Sequence, residues 1–226
     1  MSGAPRLAAT VLLLRPTHGG DAPECYMLRR SGGSPFMPDS LVFPGGRLDE
    51  ADGDPSDDAT WARAAARECT EETGLTVDPT SMTWFDTWCT PSGEPRRFLA
   101  RFFTVVLGAG DGESAQADGI ETMDGRWWTA AAALAAWRAG AADLPPPTLC
   151  TLLQLEAIGI AGLHRAATEL HVAILPKAAI DGSEIHVVMP HDDAYASLPG
   201  DGAGAPERVR GLPRRFTRRE GRWTPA

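Results

Sequence analysis

The sequence predicts a mixed α/β layered fold, and three observations carry that reading. Short apolar runs recur at 7–14, 82–90 and 97–107, each of strand length. An alanine-rich segment, 59–73, is followed by Gly74, a natural helix terminator. The order of strands, helix, strands and helix does not repeat as a regular βαβ series, so the sheet should be mixed rather than wholly parallel.

Each element has a local reason. Residues 7–14 and 24–30 read as two strands of a hairpin joined by a turn at 17–21. A Gly/Pro-rich loop spans 31–39 and leads through the short apolar piece 41–43 into Pro44-Gly45-Gly46. Residues 49–58 hold six acids with Gly and Pro among them and read as a solvated loop, with Asp57 or Asp58 able to cap the next helix. Ala62, Ala65, Ala66 and Cys69 form a narrow apolar stripe on helix 59–73, suited to close packing on a sheet. Strands are expected at 82–90, 97–107 and 125–128 and a short helix at 130–138, stopped by Pro145-Pro146-Pro147. Thr148 is expected to cap a second helix to about 165, with Leu149, Leu152, Leu153, Leu155, Ile158 and Leu163 in the core. Strand-like pieces follow at 171–175 and 184–189, then a Gly/Pro-rich loop and an arginine-rich tail. Residues 1–145 are expected to form the core, and 146–226 an extension packed on it.

Composition excludes several function classes. The net charge of −9 argues against a general nucleic-acid surface. Seven arginines crowd 208–222; they lack interleaved aromatics, and the acidic loop at 49–58 is their expected partner. The first apolar run is too short to span a membrane. The four cysteines form no CxxC pair, and the reading is of reduced thiols in a cytoplasmic protein. The five histidines show no zinc-ligand spacing with cysteine.

The chemistry concentrates in Arg67-Glu68-Cys69-Thr70-Glu71-Glu72-Thr73-Gly74-Leu75. Glu68, Glu71 and Glu72 stand at i, i+3 and i+4, on one side of a helix. Three carboxylates so placed repel one another unless a cation sits among them. Oxygen donors of this kind suit Mg²⁺ or Mn²⁺, with a carbonyl from the glycine turn as a further donor. Such an ion lowers the pKa of bound water and screens a diphosphate, so the favoured reaction class is hydrolysis of a diphosphate linkage. Arg67 can pair with Glu68 or Glu71 and fix its rotamer.

Together with Phe43-Pro44-Gly45-Gly46, this run resembles the Nudix box. The match departs in the middle: Asp52 stands where a glutamate is usual, and fourteen residues separate it from Arg67. A box split in this way resembles the branch of the Nudix family that includes the mammalian peroxisomal coenzyme A diphosphatases, as do Trp88-Cys89-Thr90-Pro91, Trp127-Trp128-Thr129 and Pro145-Pro146-Pro147-Thr148. The resemblance implies a Nudix-like α/β/α sandwich with a mixed sheet, plus a C-terminal helical and β extension. It implies Glu68 and Glu72 as first metal ligands, Glu71 as ligand to a further metal or as base, and Gly46 as carbonyl donor. It implies a nucleoside diphosphate derivative as small-molecule substrate, coenzyme A or acyl-CoA first. ADP-ribose or a dinucleotide is the alternative, and a non-catalytic nucleotide sensor is the rival from another class. Arg30-Ser31 matches part of a coenzyme A motif of another branch, whose next positions here are Pro35 and Asp39. Arg30, Arg97 and Arg101 are the candidate phosphate contacts, since arginine binds phosphate bidentately. One of Trp84, Trp88, Trp127 or Trp128 is a candidate to stack on a base. No nucleic-acid or membrane partner is expected, and a homodimer is allowed for.

Overall fold

The structure, a computed structural model, describes all residues except 1–2, 18–21, 34–36, 109–110, 113, 118, 120–121, 183 and 203–204. Most of the expected turn at 17–21, and Pro35, fall outside the described residues.

Alternating apolar residues drive a central seven-stranded sheet. Its strands are β1 (Arg6–Arg15), β2 (Glu24–Arg30), β3 (Leu41–Val42), β4 (Gly45–Arg47), β5 (Thr83–Cys89), β6 (Phe98–Val106) and β7 (Thr122–Thr129). The order is β3-β2-β1-β6-β5, with β4 also on β1 and β7 also on β2. β1 runs parallel to β6 from Arg6↔Phe98 to Leu14↔Val106, while every other pairing is antiparallel, so the sheet is mixed as expected. β1 and β2 meet as a hairpin only at Leu14↔Cys25 and Arg15↔Glu24. Beyond that, β4 takes the place beside β1, at Ala8↔Arg47 through Thr10↔Gly45. This handover brings the glycine turn to the middle of the sheet.

Strand alternation sends side chains to two cores. On one face, α1 (Asp58–Thr73) packs Trp61, Ala62, Ala64, Ala65 and Cys69 against Ala9, Val11, Leu13, Tyr26 and Leu28. The buried face of α1 is wider than the alanine stripe alone, because Trp61 and Ala64 join it. Asp57 caps α1 through the Ala59 N–H at 3.0 Å, and Gly74 ends it in the left-handed conformation. On the other face, α2 (Ala130–Arg138) and α3 (Pro146–Ala166) share a core with Cys25, Met27, Phe85, Trp88 and Trp128.

Several expectations are corrected. Thr148 does not cap α3: the helix begins at Pro146 after Pro145, with no side-chain cap. Proline suits that position because its fixed φ is helical and the first turn needs no N–H from it. Gly159 adopts φ 63°, ψ −178° and kinks α3, which turns Ile158 out to 45% exposure instead of into the core. Residues 171–175 form no strand, only a single bridge from Ile174 to Trp88.

The tail is more ordered than its composition suggests. β8 (Lys177–Asp181), β9 (Glu184–Val188), β10 (Arg215–Arg219) and β11 (Arg222–Pro225) form a second, antiparallel sheet, and Val187, Phe216 and Trp223 join the core shared with α2 and α3. The tail arginines do not pair with the 49–58 loop. Arg214 and Arg215 pair with Asp193 and Asp192, Arg210 with Glu207, and Arg219 with Glu184. Arg208 is buried and donates to Asp86 Oδ1 at 2.6 Å and to the carbonyls of Thr87, Thr168, Glu169 and Val172. Carboxylates and carbonyls that packing brings against the tail, from both near and distant parts of the chain, take these arginines instead of that loop.

Burial pushes the Asp86 carboxyl above its usual range, against the pull of Arg208. Arg208→Ala would leave that buried acid without its cation. Such a loss should lower stability by about 3–5 kcal/mol, read as a lower urea midpoint at unchanged slope.

Candidate functional site

The candidate site forms where α1 crosses the glycine turn. The Gly45 N–H donates to Glu72 Oε2 at 2.9 Å, and Glu72 is only 8% exposed. Gly46 faces Glu68 so closely that any β-carbon there would collide with the Glu68 carboxylate. A side chain at Gly46 would therefore have to push the Glu68 carboxylate aside; what glycine supplies here is space rather than a special backbone angle. Val11 donates to the Pro44 carbonyl and Leu48 to the Leu7 carbonyl, so ladder alternation makes Ala9 and Gly46 the bonded pair between them. The Gly46 carbonyl then has a second lone pair for another partner.

Arg67 organises the rest. Its Nε donates to Asp52 Oδ1 (3.1 Å), and its NH2 group to Asp52 Oδ2 (3.0 Å) and the Arg47 carbonyl (2.8 Å). NH1 donates to Glu68 Oε1 (2.8 Å) and Glu71 Oε2 (3.1 Å). All five guanidinium N–H groups are thus engaged, and these acids raise the arginine's pKa further, with Asp52 the largest cause.

Asp52 corrects the picture of a fully solvated 49–58 loop. It is 5% exposed and closes a one-turn 3₁₀ helix, Glu50–Asp52, by accepting the Asp49 N–H at 2.8 Å. Burial alone would raise its carboxyl. The bonds from Arg67 and Asp49 outweigh burial and hold it below the ordinary carboxylate range. The segment between Asp52 and Arg67 is anchored as well: Arg63 donates to the Asp52 carbonyl (2.7 Å) and Trp61 to the Pro55 carbonyl (3.0 Å).

The three glutamates are not equivalent. Glu68 and Glu72 lie toward the glycine turn, while the Glu71 side chain is 57% exposed and held by Arg67. Successive helical residues diverge by about 100°, so Glu71 and Glu72 cannot face the same point. Among the described residues, no three His, Cys, Asp or Glu side chains are already gathered as a metal cluster. The donor chemistry still fits a hard cation: carboxylate oxygens beside a glycine backbone.

The candidate phosphate arginines fare differently. Arg97 precedes β6, is buried, and donates to the carbonyls of Thr90 and Gly3. Arg101 lies between the rings of Trp61 and Trp84, 4.2 and 4.0 Å from their centroids, and pairs with Asp58 at 2.7 Å. Both are engaged with protein groups where they stand, and Arg101 lies across Ala9 from Gly46 in the strand register. Arg30 ends β2 opposite Thr122. Of the four tryptophans, Trp88 and Trp128 are core residues, and Trp84 and Trp127 lie under Arg101 and Arg15. The residue that sequence reasoning undervalued is Asp52; its spacing of five residues after Gly46 was the available signal.

Fold and site together define a mixed-sheet α/β protein with a carboxylate-bearing helix set against a glycine turn. The chain belongs to the Nudix family: the NUDIX domain matches residues 4–146. It is 26% identical over 188 residues to the protein named "Putative nudix hydrolase 7" of Caenorhabditis elegans, covering 68% of this chain and 61% of that relative's length. Its fold is similar to a NUDIX hydrolase from Alicyclobacillus acidocaldarius (TM-score 0.59, 22% identity, 70% of this chain and 94% of that one). It is also similar to the NUDIX domain of Shewanella oneidensis NrtR, solved with ADP ribose (TM-score 0.50, 17% identity, 69% and 88%).

Asp52→Asn should cost about 1.5–3 kcal/mol at neutral pH, the scale of hydrogen bonds to charged groups. Because the folded carboxyl titrates below its unfolded value of about 3.9, its contribution is full above that pH and lost as pH falls through the folded value. Unfolding curves of wild type and Asp52→Asn should therefore differ at pH 7 and converge at the acid end.

Proposed function

We propose that this protein is a metal-dependent hydrolase that cleaves the diphosphate linkage of a nucleoside diphosphate derivative, with coenzyme A or an acyl-CoA as the leading substrate. The observation that carries the reading is the meeting of Glu68 and Glu72 with Gly46 and Gly45. Family membership supports it, and the split between Gly46 and Arg67 favours coenzyme A by resemblance.

In this reading Glu68, Glu72 and the Gly46 carbonyl would hold Mg²⁺ or Mn²⁺, with Glu71 as ligand to a further metal or as the base. When bound, such an ion neutralises the diphosphate and acidifies water. The protein's own part is orientation. The Gly45 N–H fixes Glu72, and Arg67 holds one oxygen each of Glu68 and Glu71. Glu71, the most exposed of the three, is placed to accept a proton near solvent. ADP-ribose is the second reading, because the NUDIX domain of Shewanella oneidensis NrtR was solved with that ligand.

Purified protein incubated with Mn²⁺ and a panel of coenzyme A, acyl-CoA, ADP-ribose, NADH and diadenosine polyphosphates should cleave one class, with products identified by mass. Release of 3',5'-ADP with 4'-phosphopantetheine establishes the coenzyme A reading; cleavage of ADP-ribose alone replaces it. Glu72→Gln should lower turnover by about 100-fold or more, the scale of losing one transition-state electrostatic contact, at an unchanged thermal midpoint. Retained activity in that variant would sink the ligand assignment.

A further inference from the structure

The second sheet ends on an open edge. β8 pairs with β9, and no other described strand lies against its far side. The ladder shows which groups face outward. Met189 donates to the Arg214 carbonyl at 2.9 Å, so alternation turns Ile185, Val187 and Met189 toward β10 and Glu184, His186 and Val188 toward β8. The residues opposite those last three, Asp181, Ala179 and Lys177, bond to β9. Ala178 and Ile180 therefore point their N–H and C=O groups off the sheet. An edge of this kind is a template for another strand.

The side chains along the edge match a second copy of the same strand. Paired antiparallel about Ala179, two copies of β8 set Ala178 of one against Ile180 of the other, so the outward N–H and C=O groups meet in register. Ala178 and Ile180 share the apolar face of the sheet, in the rows of Val187 with Phe216 and of Ile185 with Trp223. Ile180 is 77% exposed, the most exposed large apolar side chain among the described residues. The small Ala178 of a second copy gives it a surface to pack on.

Charges match on the other face. Lys177, the only lysine of the chain, is 8% exposed. Its ammonium meets the Leu198 carbonyl at 2.7 Å and the Tyr195 ring at 4.6 Å, and among the described residues no carboxylate pairs with it. A largely buried charge is costly without a counter-ion. Asp181 is exposed and has no cationic partner among the described residues. The same register places each Lys177 directly opposite the other copy's Asp181, on one face of the sheet.

We propose that β8 is a homodimer interface: two copies of this chain join their C-terminal sheets antiparallel through Ala178 and Ile180, with Ala179 on the two-fold axis. One surface then serves both partners, as a two-fold interface requires.

Sedimentation velocity of the full chain over a range of concentrations should show twice the chain mass. Ile180→Asp, which places a charge in the apolar contact, should weaken dimerisation by about tenfold or more. Ala178→Pro removes an outward N–H and no bond to β9, and should act likewise with the circular dichroism unchanged. Ala179→Cys tests the register. At a non-hydrogen-bonded antiparallel pair the Cα atoms lie about 4.5 Å apart, within disulfide range, and all four native cysteines are buried. Mild oxidation of Ala179→Cys should give a covalent dimer, whereas Asp181→Cys, facing Lys177, should not. A wild type that is monomeric at every concentration overturns the proposal. So does a dimer that survives Ile180→Asp and leaves Ala179→Cys uncrosslinked.

Discussion

The architecture of the site depends on one guanidinium. Arg67 touches the 3₁₀ turn through Asp52, the glycine strand through the Arg47 carbonyl, and its own helix through Glu68 and Glu71. A planar group with five fixed donors can meet these acceptors only in one relative arrangement of turn, strand and helix. Lysine, with three donors on a rotating ammonium, could not impose it. The same contacts spread one positive charge among three carboxylates, which limits the repulsion that would otherwise splay the helix face.

Close approach is the second constraint. α1 lies against β1 and β4 through small residues, Ala62, Ala64 and Ala65, and it carries Glu68 against Gly46 and Glu72 onto Gly45. Larger side chains at the helix stripe would lift the helix off the strand, and one at Gly46 would push the Glu68 carboxylate aside. The apolar stripe and the glycine turn therefore serve one distance. On the opposite face, Arg208 plays a comparable part for the tail: its five donors meet Asp86 and four carbonyls, and so bind 168–172 and 207–209 to the edge of β5. Two arginines, one on each side of the sheet, fix the elements whose hydrophobic packing alone would leave them free to slide.

Local pattern made much of this legible. The 3.6-residue spacing of alanines and glutamates, the aspartate cap and Gly74 define α1 almost to the residue, and the apolar runs define β1, β2, β5 and β6. These features depend on neighbours within a few positions. Where the reading failed, the deciding partner was remote or the backbone was unusual. Nothing local marks Gly159 as a kink that exposes Ile158, and an arginine-rich stretch does not look like β10 until β9 lies beside it. Nor does charge alone show that Arg97 donates to the Thr90 and Gly3 carbonyls, or that Arg101 lies between two indole rings.

For the site, the sequence by itself determined the inventory: three glutamates on a helix, an arginine ahead of them, and a glycine turn twenty residues upstream. It also showed the gap between Asp52 and Arg67, but not whether the chain closes it. Only the tertiary structure decided that Asp52 reaches Arg67 with both oxygens, and that Glu68 and Glu72 turn to the glycines while Glu71 turns to solvent. The reason is physical. Helix periodicity and turn chemistry act over four or five residues, whereas the choice of a hydrogen-bond partner is made among whatever donors and acceptors packing brings together from distant parts of the chain.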